Sequence, residues 1–235
     1  MSGLQRRRVE PEILDELSPA DPRAVASRRD LGRLNALMLH RGILVNLMRR
    51  HLTLPPRRIL EIGAGDGRFM LAAARRLAKQ WPDVDLVLLD RQPLVRPETL
   101  QAFQRLGWRV QIVTADVFDW TEAAGAPRFD AVTANLFLHH FREPALARLL
   151  RALAALSPTI LATEPLRAPF PLFASRMLWA IGANDVTRND APASVRAGFS
   201  GRDISALWPH EEGWRLEEGR RGLFTQGFAA RRIAR

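Results

Sequence analysis

The chain contains no cysteine, has one lysine (Lys79), and has no apolar run long enough to cross a bilayer. Without cysteine there can be no disulfide framework, thiolate metal site or cysteine nucleophile, and the absence fits a reducing, cytoplasmic setting. The most apolar late stretch, Pro169 to Ala183, falls short of the roughly 20 residues a spanning helix needs and is broken by Arg176. At the start, Arg6-Arg7-Arg8 is followed by Glu10, Glu12, Asp15 and Glu16 where a leader requires an apolar run, so mature cytosolic sequence is expected there. With Lys79 the only lysine, 34 of the 35 basic residues are arginine and the net charge is +10. Such a charge can favour nucleic acid, an anionic membrane or acidic small molecules. The arginines are scattered rather than gathered into a stripe, as expected of a genome rich in G and C, and nucleic-acid binding is not expected.

What is present describes a globular protein. The chain has 235 residues, 47% of them hydrophobic and 26% charged, enough for one ordinary domain with a small appendage. No repeat or low-complexity tract appears. Residues 11 to 53 read as helical, with Asp21-Pro22 as a cap and first-turn proline and Leu31, Leu34, Leu37, Met38, Leu44, Leu47 and Met48 at helical spacing. Pro55-Pro56 ends that region. Strands are then predicted at 58–62, 84–89, 109–114, 129–134 and 159–163, with helices at 67–80, 97–106 and 144–156 between them. A helix at 172–181, a polar loop and a short helix at 202–207 follow. Strands at 214–217 and 223–229 are expected to pair antiparallel at the sheet edge. The alternation predicts an α/β fold: a doubly wound, Rossmann-like, mostly parallel seven-stranded sheet with an antiparallel C-terminal edge and N-terminal helices.

The most informative segment is Ile59-Leu60-Glu61-Ile62-Gly63-Ala64-Gly65-Asp66-Gly67. An apolar strand runs into three alternating glycines and then a helix, so backbone can approach a ligand at the carboxyl end of the first strand. The dinucleotide fingerprint needs a glycine at position 68, which is Arg68, so NAD and FAD are disfavoured. No Lys-Ser or Lys-Thr follows, which excludes a phosphate-cradling P-loop.

On these residues the chain resembles the class I S-adenosylmethionine-dependent methyltransferases, whose first motif is an apolar strand, an acid and Gly-x-Gly-x-Gly. The resemblance continues in order through Leu88-Leu89-Asp90, Thr114-Ala115-Asp116-Val117 and Phe129-Asp130-Ala131-Val132-Thr133-Ala134-Asn135. It implies S-adenosyl-L-methionine as cofactor, held by Glu61, Gly63, Ala64, Gly65, Gly67, Asp90, Arg91, Asp116, Val117 and Asn135. In that family the acid of the second strand holds the ribose hydroxyls, and the acid after the third meets the adenine amino group. The residue after the latter packs on the ring, and the fourth motif faces the methyl donor. The implied organisation is an N-terminal helical cap (1–55) and a methyltransferase domain (56–235), with 169–210 as a possible acceptor-lid insertion. Arg28 and Arg29 are further candidates, for the donor's carboxylate.

A methyl transfer from a sulfonium is an in-line displacement, so the enzyme supplies alignment and, where the acceptor needs it, removal of a proton. Asn135-Leu136-Phe137-Leu138-His139-His140-Phe141 places two imidazoles just beyond the fourth strand. His139 and His140 are the candidate bases, with Glu164 at the end of the fifth strand in reserve. The structural alternative for each histidine is to cap the next helix or to pack beneath Phe141. No metal site is expected.

Methylases of exocyclic amines commonly carry Asn or Asp, then Pro-Pro and an aromatic residue; here the chain has Asn135-Leu136-Phe137. Methylation of pyrimidine carbon needs a cysteine. A small aromatic or apolar acceptor remains. Residues 25–35, 135–141 and 187–196 resemble a bacterial branch related to ubiquinone and menaquinone methyltransferases, often found beside polyketide synthases that make phenolic lipids. That branch has His where Asn189 stands and an Asn-Asp pair near Thr163-Glu164. The resemblance implies O- or C-methylation of a phenolic, quinol or polyketide-derived molecule. The alternatives are an RNA methyltransferase using the +10 charge, or a non-catalytic cofactor-binding partner protein. Oligomeric state stays open.

Overall fold

Seven strands, the central ones rich in β-branched and aliphatic residues, form one sheet in the computed structural model, which describes residues 4–123, 125, 127–209 and 212–233. The strands are β1 (Arg58–Ile62), β2 (Asp85–Asp90), β3 (Arg109–Thr114), β4 (Ala131–Asn135), β5 (Thr159–Pro165), β6 (Trp214–Arg221) and β7 (Thr225–Arg232). Their order is β3-β2-β1-β4-β5-β7-β6. The first five are parallel; β7 runs antiparallel to β5, and β6 to β7. This is the fold class expected from the alternation. The order reverses between β1 and β4, so the crevice at their carboxyl ends is where an open sheet of this kind binds ligands.

Nine α-helices are found among the described residues: α1 (Ile13–Glu16), α2 (Pro22–Leu37), α3 (His40–His51), α4 (Arg68–Leu77), α5 (Pro97–Gln104), α6 (Val117–Thr121), α7 (Glu143–Leu156), α8 (Pro169–Arg176) and α9 (Asp185–Ala197). Alternate residues of each strand point to opposite faces, and each face has its own core. Leu60, Ile62, Val132 and Ile160 pack with Leu146, Leu149, Leu150 and Leu153 of α7. Ile59, Leu86 and Leu161 pack with Leu44, Leu47 and Met48 of α3 and Met70, Ala74 and Leu77 of α4.

Four local expectations are corrected. The predicted helical stretch 11–53 is broken after Glu16 and again at Leu39, whose φ of 58° is left-handed and turns the chain into α3. The stretch between Ile181 and Arg202, read as a polar loop, contains the 13-residue α9. Its sequence is rich in Asn, Asp, Ser and Thr and carries Pro192, all helix-disfavouring signals. Tertiary hydrogen bonds override them: Asn184 Oδ1 caps Thr187 N–H at 2.8 Å, and Asp190 accepts from the backbone of α1. The helix read at 202–207 shrinks to a 3-10 turn at Ser205–Leu207, and the 172–181 helix becomes α8 followed by a 3-10 turn at Leu178–Ile181. His210, at the end of the expected lid, and the first three residues of the expected cap lie outside the described residues.

Candidate active site

The turn after β1 carries three left-handed glycines, Gly63 (φ 64°), Gly65 (φ 56°) and Gly67 (φ 72°), a conformation costly for any residue with a Cβ. A Cβ on Gly63 would lie 2.2 Å from the ring of Phe137, and one on Gly67 2.9 Å from Leu88 Cδ1. Gly65 is different. It has open space beside it, and its N–H donates to Asp90 Oδ2 at 2.8 Å. Gln92 N–H donates to the other oxygen of Asp90 at 2.9 Å, so two backbone donors fix this carboxylate at the end of β2. Asp116 caps α6 by accepting from Phe118 N–H at 2.8 Å, and buried Val117 follows it.

Behind this loop Glu61 is buried, and its Oε2 has no hydrogen-bond partner. Burial, reinforced by the carboxylates of Asp66 and Asp90, raises its pKa well above the carboxylate range. The shift favours the neutral, protonated acid at this position. Asn135, at the end of β4, accepts at Oδ1 from Thr163 Oγ1–H (2.8 Å) and His40 Nδ1–H (3.3 Å), which fixes the orientation of its amide. Burial lowers the His40 imidazole to about 4 despite the bond to Asn135 and the charge of Glu164, so it is neutral at physiological pH; its Nε2 is unpartnered.

The two histidines stand in a 3-10 turn, Leu138–His140, whose start is held by Glu164. Buried Glu164 accepts from the backbone N–H groups of Phe137 (3.0 Å), Leu138 (2.9 Å) and His139 (3.3 Å), and from His139 Nδ1–H at 2.8 Å. On the other side of the ring, His139 Nε2 lies 3.4 Å from Glu12 Oε1, and Ser194 Oγ–H donates to the same oxygen. Burial alone would lower the His139 imidazole, but hydrogen bonds to Glu12 and Glu164 and their charges outweigh it and raise it to about 9. Burial would likewise raise Glu12 and Glu164; the pairing with His139 holds both below their ordinary value. His140 pairs with Asp15 at 3.2 Å and stacks against His139 with ring centroids 4.3 Å apart. Glu12, His139 and His140 bring ligating atoms within 4.8 Å of one another, but Glu12 and both nitrogens of His139 are already satisfied as an ion-paired array.

Glu12 and Asp15 reach the site because the N-terminal segment is tied across it. Arg7 donates to the carbonyls of Ala197 (2.8 Å), His139 (3.3 Å) and Phe141 (3.1 Å) and lies over the Phe199 ring. Asp190 of α9 accepts from Ile13 and Leu14 N–H, each at 3.0 Å.

A single cavity of about 720 Å³ joins these groups. The segments after β1, β2 and β3 bring Gly63, Gly65, Asp90, Arg91, Asp116 and Val117 to its lining, the turn after the next strand in the sheet, β4, brings His139 and His140, and α2, α8 and the turn after α8 bring Leu31, Leu34, Met38, Pro171, Ala174 and Leu178. Residues 59–158 match the family model described as a methyltransferase domain. The matched stretch runs from β1 to the end of α7, less than half of the chain. Solved structures show the same fold at low identity. The plantazolicin methyltransferase BpumL, in complex with a monoazolic desmethylPZN analog and SAH, has a TM-score of 0.64 at 13% identity, covering 92% of each chain. An O-methyltransferase family protein from Burkholderia thailandensis gives 0.62 at 18%, covering 92% of this chain and 62% of that one. The mitomycin 7-O-methyltransferase MmcR gives 0.59 at 21%, covering 94% and 60%. No curated protein matches the chain in sequence.

S-adenosyl-L-methionine is the cofactor of this domain class, and the cavity has a matching set of groups: backbone at Gly63 and Gly65 and fixed carboxylates at Asp90 and Asp116. Of the residues singled out by sequence, Glu61, Ala64, Gly67, Asn135 and Glu164 stand behind the cavity wall; Ala64 is buried there and Gly67 packs on Leu88. Arg28 lines the cavity and donates to Pro19 O, whereas Arg29 is exposed. Neither histidine caps a helix: the residue before α7 is Arg142. Glu12, Asp15, Ser194 and His40 were not legible, since each gains its place only through contacts with distant segments.

Proposed function

We propose that this methyltransferase moves the methyl group of S-adenosyl-L-methionine to an oxygen or carbon of a small phenolic, quinol or polyketide-derived acceptor in the cytoplasm. The observation that carries the reading is the shared cavity, with a polar end of backbone and carboxylates, an apolar end of leucine, methionine and proline, and His139 between them. The cofactor supplies a methyl group already activated on a sulfonium, so the protein's tasks are alignment and proton removal. Asp90 and Asp116, fixed by backbone donors, offer their remaining acceptor positions to hydroxyl and amino groups of the donor. Glu61 and Asn135 act from behind the wall: Glu61 places a carboxyl group under the glycine turn, and Asn135, its carbonyl oxygen held by Thr163 and His40, braces the end of β4.

His139 is the base, and Glu164 orients it. With both nitrogens on carboxylates the imidazole is protonated at neutral pH and cannot accept a proton. An acceptor hydroxyl that takes the place of Glu12 at Nε2 removes one of the two charges raising its pKa. This brings the ring back toward the range in which a neutral imidazole abstracts a phenol or enol proton. His140, outside the buried array and paired to Asp15, lines the cavity beside it.

Support also comes from three segments that resemble the quinone-related branch, and from the fold shared with a mitomycin 7-O-methyltransferase and a plantazolicin methyltransferase. The leucine, methionine and proline side chains of the cavity lining suit an apolar acceptor better than a ribose-phosphate chain, which disfavours the RNA alternative. The test is labelled methyl transfer from the cofactor into a panel of phenols, quinols and hydroxylated polyketide fragments, beside structured RNA. Transfer into RNA alone overturns the reading.

A further inference from the structure

Helix α8 and the turn after it have two apolar faces. The inner one, Pro171, Ala174 and Leu178, lines the acceptor end of the cavity. The outer one is uncovered: Phe173 is 63% exposed, Trp179 60% and Ile181 59%. Across the opening, Leu37 at the end of α2 is 67% exposed. Leu37 and Ile181 both line the cavity and face solvent, so they mark its mouth, and the exposed apolar residues form a rim around it. A contiguous patch of this kind on a soluble domain signals an interaction surface.

Charge decides what covers the rim. Between Pro165 and Ala183 there is no acid; Arg167 is buried against Asp203, which leaves Arg176 as the exposed charge. Helices α2 and α9, which pack with one another and, through α9, with α8, carry exposed Arg29, Arg33 and Arg188. The exposed acid there, Asp185, is paired with Arg23, and the exposed acids of the N-terminal segment that line the cavity, Glu10 and Asp15, are paired with Arg8 and His140. The whole chain is at +10 with nearly all its bases arginine, so the charge does not titrate away. An aromatic and aliphatic rim that includes Trp179, with exposed arginines on the same and neighbouring helices, matches the interface of an anionic bilayer, where apolar side chains sit among acyl chains and cations among headgroups.

We propose that the apolar rim at the mouth of the cavity docks this methyltransferase on an anionic lipid surface, so that a lipophilic acceptor enters from the bilayer without crossing water. The route of entry rests on the acceptor reading above; the docking does not. The test uses the full chain and vesicles of phosphatidylcholine with and without phosphatidylglycerol. Expected is about tenfold or stronger partition onto the phosphatidylglycerol vesicles, weakening as salt is raised, with a blue shift of Trp179 emission that disappears in Trp179→Phe. A Phe173→Ser, Trp179→Ser double variant should lose about tenfold of that partition while binding S-adenosylhomocysteine normally, which shows it folded. Arg29→Glu with Arg33→Glu should lower partition onto charged vesicles specifically. Absence of partition onto either vesicle overturns the proposal. So does a concentration-dependent dimer that the double serine variant abolishes, since the rim would then be covered by a second copy. Failure of the wild type to bind the cofactor product would overturn the function while leaving the docking result intact.

Discussion

The two ends of the cavity are built by different means. At the donor end every determinant lies within a few residues of a strand terminus, and most contacts are made by backbone: glycines with positive φ, an N–H on Asp90, a helix capped by Asp116. At the acceptor end the determinants are side chains from three segments distant in the chain, with Glu12, His139 and Ser194 meeting on one ion-paired array. Local backbone geometry is written as a motif. A long-range array has no sequence signature, because each member is an ordinary acid, histidine or serine until its partner arrives.

The sharpest way to break this comparison is His139→Ala. Turnover should fall by about two to four powers of ten while S-adenosylhomocysteine binds nearly as before, because a base is lost and the donor end is untouched. Full turnover in the variant would leave only positioning at this end. Next in size are changes at the donor end. Asp90→Ala removes the partner of Gly65 N–H and should weaken cofactor binding by about 1–3 kcal/mol. Gly63→Ala adds a Cβ at φ 64° against Phe137 and should cost about 1–2 kcal/mol as well as binding. Calorimetry that finds either variant binding like the wild type breaks the assignment of this end to the cofactor.

The pH dependence of stability comes third, and its sign follows from the array. The His139 imidazole is raised from 6.5 to about 9, so its contribution is complete below its ordinary value and is lost as pH climbs through about 9. Glu12 and Glu164 are held below their ordinary 4.5, so their contribution is present above it and lost as pH falls through their lowered values. His40, lowered from 6.5 to about 4, adds to the acid loss because the buried ring must become charged. Urea unfolding followed across pH should therefore give a maximum near 6.5, with stability falling on the acid side toward about 4 and on the alkaline side up to an edge near 9. Glu12→Gln should move its alkaline edge downward, and an unmoved edge would detach Glu12 from His139. The smallest effect belongs to Asp15→Asn. That pair with His140 is part-exposed, and its loss should change stability by under about 1 kcal/mol.

The same contrast sets how much could be read beforehand. The sheet and the glycine turn follow from hydrophobic periodicity and local geometry, and Asp90 and Asp116 from their places at strand ends. His139 was visible as a histidine after β4, but not its burial between two carboxylates. Helix α9 was hidden because Pro192 and its polar neighbours speak against a helix, and only Asn184, Asp30 and the backbone of α1 make it one. Phe137 shows the reverse case: Gly63 reads as room for a ligand, and the structure adds that the phenyl ring also needs that room.

The strap formed by the N-terminal segment bears on the order in which the molecule assembles. Its bonds to α9 and to the histidine turn join residues separated by 132 to 190 positions, from Arg7 with His139 to Arg7 with Ala197. Contacts that close such long loops form after the local strand and helix pairs. Helix α1 buries no residue, so little apolar area holds the strap once it is in place. The glycine turn is thus formed early and kept firmly, while the surroundings of His139 are completed last and open first. Amide exchange in the native state should reach Ile13 and Leu14 long before it reaches β1.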